Sequence, residues 1–444
     1  MGTINKYDLA VKGGTYLTFD DNGSIVSNGL MLLKAGRIKF IGSEKDFAGE
    51  YRADKTINGS GKYILPAFFN QHTHLSLSLY RGLGADLKLH DWLNQVIWPL
   101  EDAFCQPDNV YLGSALSLVE MIKNGTGTVA NMDFHSLAVG KAAEESGLRV
   151  ILGEGLFDDK TPSAVNPSET FDYTLDLLNK YAGNPLISVY LTPHAPFSCS
   201  GDLYAMCGEL GRKWKVPVCS HLSETREEIR LINEEYGLSP VEYLERTGVF
   251  DHHFIAIHGV HLSDDDIEIM RERKVAVIHN PHSNMILGSG FSPVKSMLSA
   301  GIKVGIGTDS AASNNHLSML RELQTAYLIH KGLNHDPAQL PAYKAIEMAV
   351  RTGFEIYGMK DLGTLKNDNH ADFIVMDLEG IHNQPSPDPY SAIVSSSHPG
   401  DITSLVVNGK VIMEDRRILT LDEEILKKEA AKFGRLVKNS FPDI

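Results

Sequence analysis

The sequence predicts an α/β fold: a (β/α)8 TIM barrel with a small β-sandwich domain formed from both termini. In the middle of the chain, short apolar runs alternate with amphipathic stretches, as in a parallel sheet with connecting helices. Eight such runs are the number that closes a barrel. An open doubly wound sheet is disfavoured because no G-x-G-x-x-G pattern follows the first run. The runs are residues 64–69, 128–132, 149–156, 187–192, 217–221, 254–258, 275–279 and 303–308.

The first 60 residues predict short strands joined by tight turns. Asn-Gly pairs at 22–23 and 28–29 and the Ala-Gly pair at 35–36 separate alternating stretches. Such dipeptides between alternating runs are typical of β-hairpins. The N-terminal segment therefore predicts a small antiparallel β structure.

The middle elements follow from periodicity, and the C-terminal ones repeat the β pattern. Amphipathic helices are predicted at 107–123, 168–181, 264–273 and 316–330 between the apolar runs. After these come a strand at 371–377, a hairpin at 404–413 around an Asn-Gly pair, and a helix at about 422–438. We therefore expect residues 1–62 and 365–444 to form one composite β-sandwich domain, and residues 63–364 to form the barrel.

Composition excludes several classes of protein. Of the 444 residues, 41 are Lys or Arg and 56 are Asp or Glu, which gives a net charge of −15. An acidic chain repels phosphate backbones and anionic lipid, so we expect no nucleic-acid partner and no membrane partner. The N-terminus lacks a signal-peptide pattern, and four cysteines make no disulfide framework, so we expect a cytoplasmic protein.

Ionisable residues cluster where the predicted strands end. His72 and His74 follow the first run and share one face, because a strand alternates faces at every residue. His221, His258 and Asp309 end the fifth, sixth and eighth runs. Barrel chemistry lies at the C-terminal ends of strands, so these side chains should converge. Imidazoles with one carboxylate suit Zn²⁺, with Fe²⁺ as the second choice.

These residues lie in a series of motifs that resembles the amidohydrolase superfamily. The resemblance is to the s-triazine hydrolase and cytosine deaminase-like branch, and it is strongest to methylthioadenosine/S-adenosylhomocysteine deaminases. The motifs occur in the family order between about residues 60 and 320. They are NQHTH at 70–74, YRGL at 80–83, WPLE at 98–101, PHAP at 193–196, HLSET at 221–225, HGVHL at 258–262, HNPHSN at 279–284 and GTDSAASN at 307–314.

The resemblance implies a site with one metal ion per chain. His72, His74, His221 and Asp309 would hold the ion, and Asp309 would also act as general base. His258 would orient the attacking water, and Glu224 would carry protons to the ring nitrogen and the leaving amine. Strand 4 lacks the lysine that binuclear relatives carboxylate, which favours one ion. Glu227 and Glu228 are expected on a solvated helix face.

Substrate contacts are also inferred from the resemblance. Glu101 matches a glutamate that hydrogen-bonds ribose hydroxyls, His194 is expected to face the sugar or ring, and Ser313 matches a position beside the purine. Trp92 would line the mouth of the pocket. Glu154 stands where relatives that accept homocysteine carry arginine, and a glutamate there would repel the amino-acid carboxylate.

The sequence thus predicts a zinc-dependent hydrolytic deaminase of an adenine-type ring. Candidate substrates are adenosine, 5′-methylthioadenosine and S-adenosylhomocysteine. Aminohydrolysis or chlorohydrolysis of guanine, a pterin or an s-triazine is the alternative, and a non-catalytic barrel scaffold is a remote one. The partner is a small N-heterocyclic molecule. The sequence leaves undecided whether the chain forms a homo-oligomer, because no interface can be read from it.

Overall fold

The computed structural model describes residues 4–442. Within them, strands alternate with helices from residue 68 to residue 306 in a mixed α/β fold. The strands are β1 (Asn5–Lys12), β2 (Thr15–Leu17), β3 (Ile25–Ser27), β4 (Gly29–Lys34), β5 (Arg37–Ser43), β6 (Tyr51–Asn58), β7 (Tyr63–Pro66), β8 (Phe68–Thr73), β9 (Thr126–Asp133), β10 (Arg149–Leu156), β11 (Ile187–Val189), β12 (Thr192–Pro193), β13 (Val218–Leu222), β14 (Phe254–His258), β15 (Ala276–His279), β16 (Val304–Ile306), β17 (Phe373–Met376), β18 (Ile402–Val407), β19 (Lys410–Glu414) and β20 (Arg417–Ile418).

The α-helices follow the same chain order. They are α1 (Leu89–Trp92), α2 (Trp98–Phe104), α3 (Pro107–Lys123), α4 (Ser136–Ser146), α5 (Pro167–Lys180), α6 (Gly201–Trp214), α7 (Arg226–Tyr236), α8 (Pro240–Thr247), α9 (Asp264–Arg273), α10 (Pro281–Ile286), α11 (Val294–Ser299), α12 (Ala311–Asn314), α13 (Met319–Leu333), α14 (Ala342–Val350), α15 (Thr352–Ile356), α16 (Pro389–Ser395) and α17 (Glu423–Ser440). A π-helical turn, Leu93–Ile97, joins α1 to α2. No helix within residues 4–442 is long and apolar enough to cross a membrane.

One compact unit contains residues 4–69, 119–128 and 318–421. Its first sheet has the order β5-β4-β1-β6, and its second has the order β20-β19-β18-β17-β7-β2-β3. Strands from both chain ends therefore share one seven-stranded sheet. Leu9 and Met31 from the first sheet and Phe373 and Val406 from the second belong to one buried hydrophobic cluster.

The second compact unit contains residues 70–118, 129–317 and 422–442. One sheet has the order β11-β10-β9-β8, with β12 beside β10, and the other has the order β13-β14-β15-β16. The second sheet is parallel throughout. A parallel bridge between Leu191 and Val218 joins the two sheets on one side. On the other side, the Asp309 amide donates to the His72 carbonyl at 3.0 Å.

On that side, Gly307 lies against the backbone of His72. A Cβ at this position would lie 2.7 Å from the His72 nitrogen and 2.9 Å from its carbonyl oxygen. Only a residue without a side chain lets the backbones come this close. The backbone contact therefore sets how far Asp309 lies from His72.

The predicted elements can be compared directly with these bounds. The helices at 107–123 and 264–273 are confirmed as α3 and α9, and the C-terminal helix is confirmed as α17, capped by Asp422. All eight predicted runs contain strand residues. The first run was wrong as a single strand. Its start lies in β7, where Leu65 pairs with Ile374, and β8 begins only at Phe68. Pro66 has no N–H to continue the ladder, so the chain changes sheets there.

Candidate metal and active site

Four side chains from three strand ends meet at one point. His72 lies in β8 and His74 just after it, while His221 lies in β13 and Asp309 follows β16. The Oδ1 atom of Asp309 is 3.3 Å from His72 Nε2 and 3.4 Å from His74 Nε2. The Nε2 atoms of His221 and His72 are 3.2 Å apart. The structure therefore brings together all four residues that the sequence predicted as ligands.

Backbone carbonyls fix how two of these imidazoles point. His74 Nδ1 donates to the Met132 carbonyl at 2.6 Å, and His221 Nδ1 donates to the His194 carbonyl at 2.8 Å. The proton on Nδ1 leaves each Nε2 with a bare lone pair directed at the cluster. Lone pairs facing one another and a carboxylate at this range are stabilised by a cation.

The spacing also fits zinc. Ligand atoms about 2.0–2.1 Å from a tetrahedral ion are about 3.3 Å from one another. The three distances of 3.2, 3.3 and 3.4 Å agree with that value. The ligand atoms of His72, His74 and His221 lie within 4.8 Å of one another, so they can hold one ion, with Asp309 Oδ1 beside two of them.

Burial keeps the imidazoles of His72 and His221 in the neutral form that a metal needs. It lowers the pKa of His72 to about 4 and the pKa of His221 well below its ordinary value. Burial alone would raise the pKa of Asp309, but the neighbouring imidazoles more than offset this and hold it well below its usual range. Neutral imidazoles with one carboxylate bind a divalent ion without first losing protons.

Two serine hydroxyls orient the Asp309 carboxylate. Ser283 Oγ donates to its Oδ2 atom at 2.6 Å, and Ser313 Oγ donates to the same atom at 2.9 Å. Ser283 was missed as a functional residue, although it lies within the HNPHSN motif. Ser313 lines the cavity as expected, but its hydroxyl is engaged by Asp309.

Glu224 and His258 stand beside the cluster. His258 Nε2 is 3.5 Å from Glu224 Oε2, and His258 Nδ1 is 2.7 Å from the amide oxygen of Asn284. Burial, with a further contribution from Asp309, raises the pKa of Glu224 to about 8. At neutral pH this carboxyl group keeps its proton and can donate it.

Glu228 holds the backbone that carries Glu224. One of its oxygens accepts from the Ser223 amide at 2.8 Å and the other from the Glu224 amide at 2.9 Å. The expectation that Glu228 is solvated was wrong, because its side chain is 1% exposed. The signal was Thr225 three residues earlier, which caps α7 through the Glu228 amide and turns the glutamate back toward the helix start.

Three strand ends adopt a backbone conformation that L-residues rarely take. Ser223, His258 and Asp309 have φ of 52°, 73° and 59°. Such conformations cost on the order of 1–3 kcal/mol each and cluster at functional sites. His258, at the end of β14, and Asp309, after β16, line the cavity, and so does Glu224, which follows Ser223 after β13.

One cavity opens onto this cluster. Of the predicted residues, His74, His221, Glu224, His258 and Asp309 line it. So do the predicted contact residues Trp92, Glu101, His194 and Ser313. His72 lies beneath the lining and is fully buried. Aromatic walls that the sequence analysis missed come from Phe134, Phe157 and Phe197, and the His194 ring stacks on Phe157 at 4.4 Å between centroids.

Glu101 is a buried carboxyl group within this cavity. Its side chain is 8% exposed, and burial raises its pKa to about 8, with a further contribution from Asp133. Trp92 lines the same cavity and is also buried, and its indole N–H donates to the Leu83 carbonyl at 3.3 Å.

Glu154, in contrast to our expectation, lies outside the cavity. Gly155 lines the cavity, so its neighbour in β10 points to the other face of the strand. The Glu154 carboxylate accepts from the amides of His135 and Ser136 at 3.0 and 2.8 Å and from the Ser163 hydroxyl. Glu154 thus holds the start of α4 in place, and the expected repulsion of a substrate carboxylate loses its basis.

Two proteins named as deaminases are similar to this chain over nearly its full length. A relative from Syntrophus aciditrophicus, named 5-methylthioadenosine/S-adenosylhomocysteine deaminase 1, is 36% identical over 99% of this chain and 100% of its own. A second, from Aquifex aeolicus and named 5-methylthioadenosine/S-adenosylhomocysteine deaminase, is 39% identical over 97% of each chain.

A solved structure matches the whole fold. An adenosine deaminase from Xanthomonas campestris with bound zinc superposes with a TM-score of 0.95 at 28% identity, covering 98% of this chain and 100% of the other. The amidohydrolase family model matches residues 63–412, which include every residue of the cluster. With that match and relatives similar over their full length, the chain belongs to the amidohydrolase family.

Proposed function

We propose that this protein is a zinc-dependent hydrolase that deaminates an adenine-type ring and releases ammonia. The observation that carries the proposal is the pairing of two groups at one cavity. The His72, His74, His221 and Asp309 cluster has the spacing of a zinc site, and Glu224 beside it keeps its proton at neutral pH. The names of the full-length relatives support an adenine-type substrate.

His72, His74, His221 and Asp309 would hold the zinc ion. When bound, zinc lowers the pKa of water toward about 7 and so supplies a nucleophile at neutral pH. Asp309 accepts the proton of the attacking water, and the Ser283 and Ser313 hydroxyls keep its carboxylate aimed. His258 orients the same water through Nε2, because its Nδ1 proton is engaged by Asn284.

Glu224 moves the remaining protons. Water attack on the ring carbon leaves electron density on the neighbouring ring nitrogen, and the protonated Glu224 carboxyl supplies a proton there. The resulting carboxylate then takes the proton that Asp309 received from the water and delivers it to the amine, and ammonia leaves as the bond between the ring carbon and the amine breaks. The remaining proton of the added hydroxyl returns to Glu224 as that oxygen becomes a carbonyl, so both carboxyl groups regain their starting state. One group can serve both steps because its raised pKa lies near the working pH.

The cavity walls suit a flat heterocycle with a sugar. Phe157, Phe197 and Trp98 offer aromatic faces, which favour offset stacking with a ring. His194 and Trp92 contribute to the same walls. Glu101 is positioned to hydrogen-bond a hydroxyl pair, and its neighbourhood among apolar rings excludes water from that contact.

The finer architecture belongs to the same proposal. We infer that the sheets β8–β12 and β13–β16 form one (β/α)8 barrel, supported by the Leu191–Val218 bridge and the bond from Asp309 to His72. We also infer that residues 1–62 and 365–444 form a β-sandwich domain, with the barrel at 63–364. The four cysteines are buried free thiols, which supports a reducing, cytoplasmic location.

The test is ammonia release by zinc-loaded protein on a panel of substrates. The panel holds adenosine, 5′-methylthioadenosine, S-adenosylhomocysteine, adenine, guanine, a pterin and melamine. We expect the highest kcat/KM with an adenosine-type compound. Activity confined to guanine, the pterin or melamine would keep the hydrolytic mechanism and overturn the substrate. Zinc-loaded protein inactive on the whole panel would contradict the proposal.

A further inference from the structure

A second group of metal-type side chains lies in the compact unit that holds both terminal β segments. His382 belongs to a one-turn 3-10 helix, Ile381–Asn383, and His398 and Asp401 flank another, Pro399–Asp401. Both turns lie in the connection between β17 and β18. The proposed deaminase mechanism uses none of these residues.

The two imidazole rings converge on the Asp401 carboxylate. Asp401 Oδ1 is 3.1 Å from His382 Nε2 and 3.4 Å from His398 Nδ1. All three potential ligand atoms lie within 4.8 Å of one another. The two imidazole rings stack, with centroids 4.1 Å apart and planes 21° from parallel.

These distances match those of the catalytic cluster. There, neighbouring ligand atoms are 3.2–3.4 Å apart, and here the three imidazole–carboxylate distances are 2.9, 3.1 and 3.4 Å. The catalytic set agrees with the separation of about 3.3 Å that a tetrahedral zinc ion imposes on its ligands, and the second set lies within about 0.4 Å of that value.

The carboxylate is held in place before any ion arrives. Asp401 is 7% exposed, and its Oδ2 atom accepts from the His398 amide at 3.0 Å and from Asn383 Nδ2 at 3.1 Å. His382 Nε2 lies 2.9 Å from the same Oδ2 atom and 3.1 Å from Oδ1, so both oxygens of the fixed carboxylate face that ring. A ligand fixed by its neighbours loses little conformational freedom on binding a metal.

Glycines leave space for the rings. A Cβ at Gly380 would lie 2.6 Å from His382 Cε1, and a Cβ at Gly400 would lie 3.1 Å from His398 Nδ1. The side chains of His382 and His398 are 34% and 57% exposed, so water can reach the ion position from the ring side. The arrangement offers three protein ligands and an open side.

We propose that His382, His398 and Asp401 form a second divalent-cation site, which takes Zn²⁺ with water completing its coordination. Two imidazoles and one carboxylate select a borderline ion such as zinc over the oxygen-preferring Mg²⁺ and Ca²⁺. The bound ion joins the two 3-10 turns and so ties down the connection between β17 and β18. The site is independent of the catalytic metal and of the proposed reaction.

The experiment uses the full, untagged chain that has been given one equivalent of zinc. Calorimetric titration with further zinc, and metal analysis after desalting, report a second ion directly. His382→Gln and His398→Asn each keep an amide N–H at the position of the ligating nitrogen. They retain a hydrogen bond to Asp401 but lose the imidazole ligand. His335→Asn, an exposed histidine of the same unit, is the matched control.

We expect wild-type protein and the His335→Asn variant to bind a second zinc ion. The His382→Gln and His398→Asn variants should bind it about tenfold more weakly or worse, with ammonia release unchanged in all four proteins. Unchanged ammonia release also shows that the variants are folded. A stoichiometry of one zinc per wild-type chain would overturn the proposal. So would a second ion that both variants bind as tightly as the control.

Discussion

At the scale of single residues, the two oxygens of Asp309 have different neighbours. One faces the imidazoles of His72 and His74, and the other accepts from two serine hydroxyls. The carboxylate can therefore hold a metal ion with one atom while the other stays oriented for proton transfer.

Replacement of Asp309 by Asn tests that assignment. The amide cannot accept a proton from water, so we expect kcat to fall about 10³-fold or more while the fold persists. Ammonia release, zinc content and circular dichroism are the measurements. Asp265→Asn, on the exposed part of α9, is the control and should leave the rate unchanged. A rate for Asp309→Asn near that of wild type would rule out the general base.

Glu224 is tested by the same logic with a neighbouring control. Glutamine cannot shuttle a proton, so Glu224→Gln should lower kcat by about 10²–10⁴-fold. Glu227, three residues further on, is 44% exposed and pairs with Arg230, so Glu227→Gln should be neutral. Steady-state kinetics give kcat for both variants. If Glu224→Gln and Glu227→Gln had the same kcat, Glu224 would have no part in the mechanism.

Glu101 connects function with stability. Folding raises its pKa from 4.5 to about 8, so between these values the folded protein holds a proton that the unfolded chain has released. Stability therefore falls as pH rises through this window, by an amount on the order of a few kcal/mol. Glu101→Gln lacks this titration.

We accordingly expect the Tm of Glu101→Gln, relative to wild type, to increase from pH 5 to pH 8.5. The control is Asp102→Asn, which removes the exposed carboxylate of the next residue and should follow wild type at each pH. Differential scanning fluorimetry across the series is sufficient. If the Tm of Glu101→Gln and the Tm of wild type changed equally with pH, the raised pKa of the buried Glu101 carboxyl would be contradicted.

At the scale of elements, α17 supports the cavity wall. Its Phe433 ring packs on Phe104 at 5.5 Å and on Tyr80 at 6.1 Å between centroids. The same buried cluster contains Trp92, Leu93 and Ile97, and all three line the cavity. The last helix of the chain thus backs the elements that would contact substrate.

Truncation of Phe433 should therefore affect both stability and substrate binding. We expect Phe433→Ala to cost about 3–5 kcal/mol of unfolding free energy and to raise KM more than it lowers kcat. Leu436→Ala, on the same helix but 48% exposed, is the control. Denaturant unfolding and kinetics report the two effects, and identical behaviour of the two variants would show that α17 does not support the wall.

The elements also show what can be predicted from sequence. Periodicity identified α3, α9 and the core strands because burial on one face imposes its period on the residues. The division between β7 and β8 was missed because an apolar run does not reveal which neighbour each strand pairs with. The side of β10 on which Glu154 lies was missed for a related reason: facing depends on sheet register, which long-range pairing decides.

At the scale of the whole molecule, the metal cluster is a source of stability. Without an ion, imidazole lone pairs and a carboxylate face one another in a buried site. An ion that binds only the folded state adds RT ln(1 + [L]/Kd), which is about 4.1 kcal/mol at a thousandfold excess over Kd.

Removal of zinc by a chelator should therefore lower Tm by several degrees and abolish ammonia release. One equivalent of zinc should restore both, whereas Mg²⁺ should restore neither, because it prefers oxygen ligands. Thermal scans of stripped and reloaded protein make the comparison. A Tm that does not respond to zinc would contradict a buried, folded-state metal site.

The contact at Gly307 also limits how the protein can change. Its backbone lies against that of His72. Main-chain packing therefore sets the separation between the two ligands His72 and Asp309. Mutations of cavity side chains can thus alter the substrate while leaving the dimensions of the metal site intact. Proteins that evolve from one heterocyclic substrate to another can therefore keep the same metal-site geometry, provided that residue 307 remains glycine.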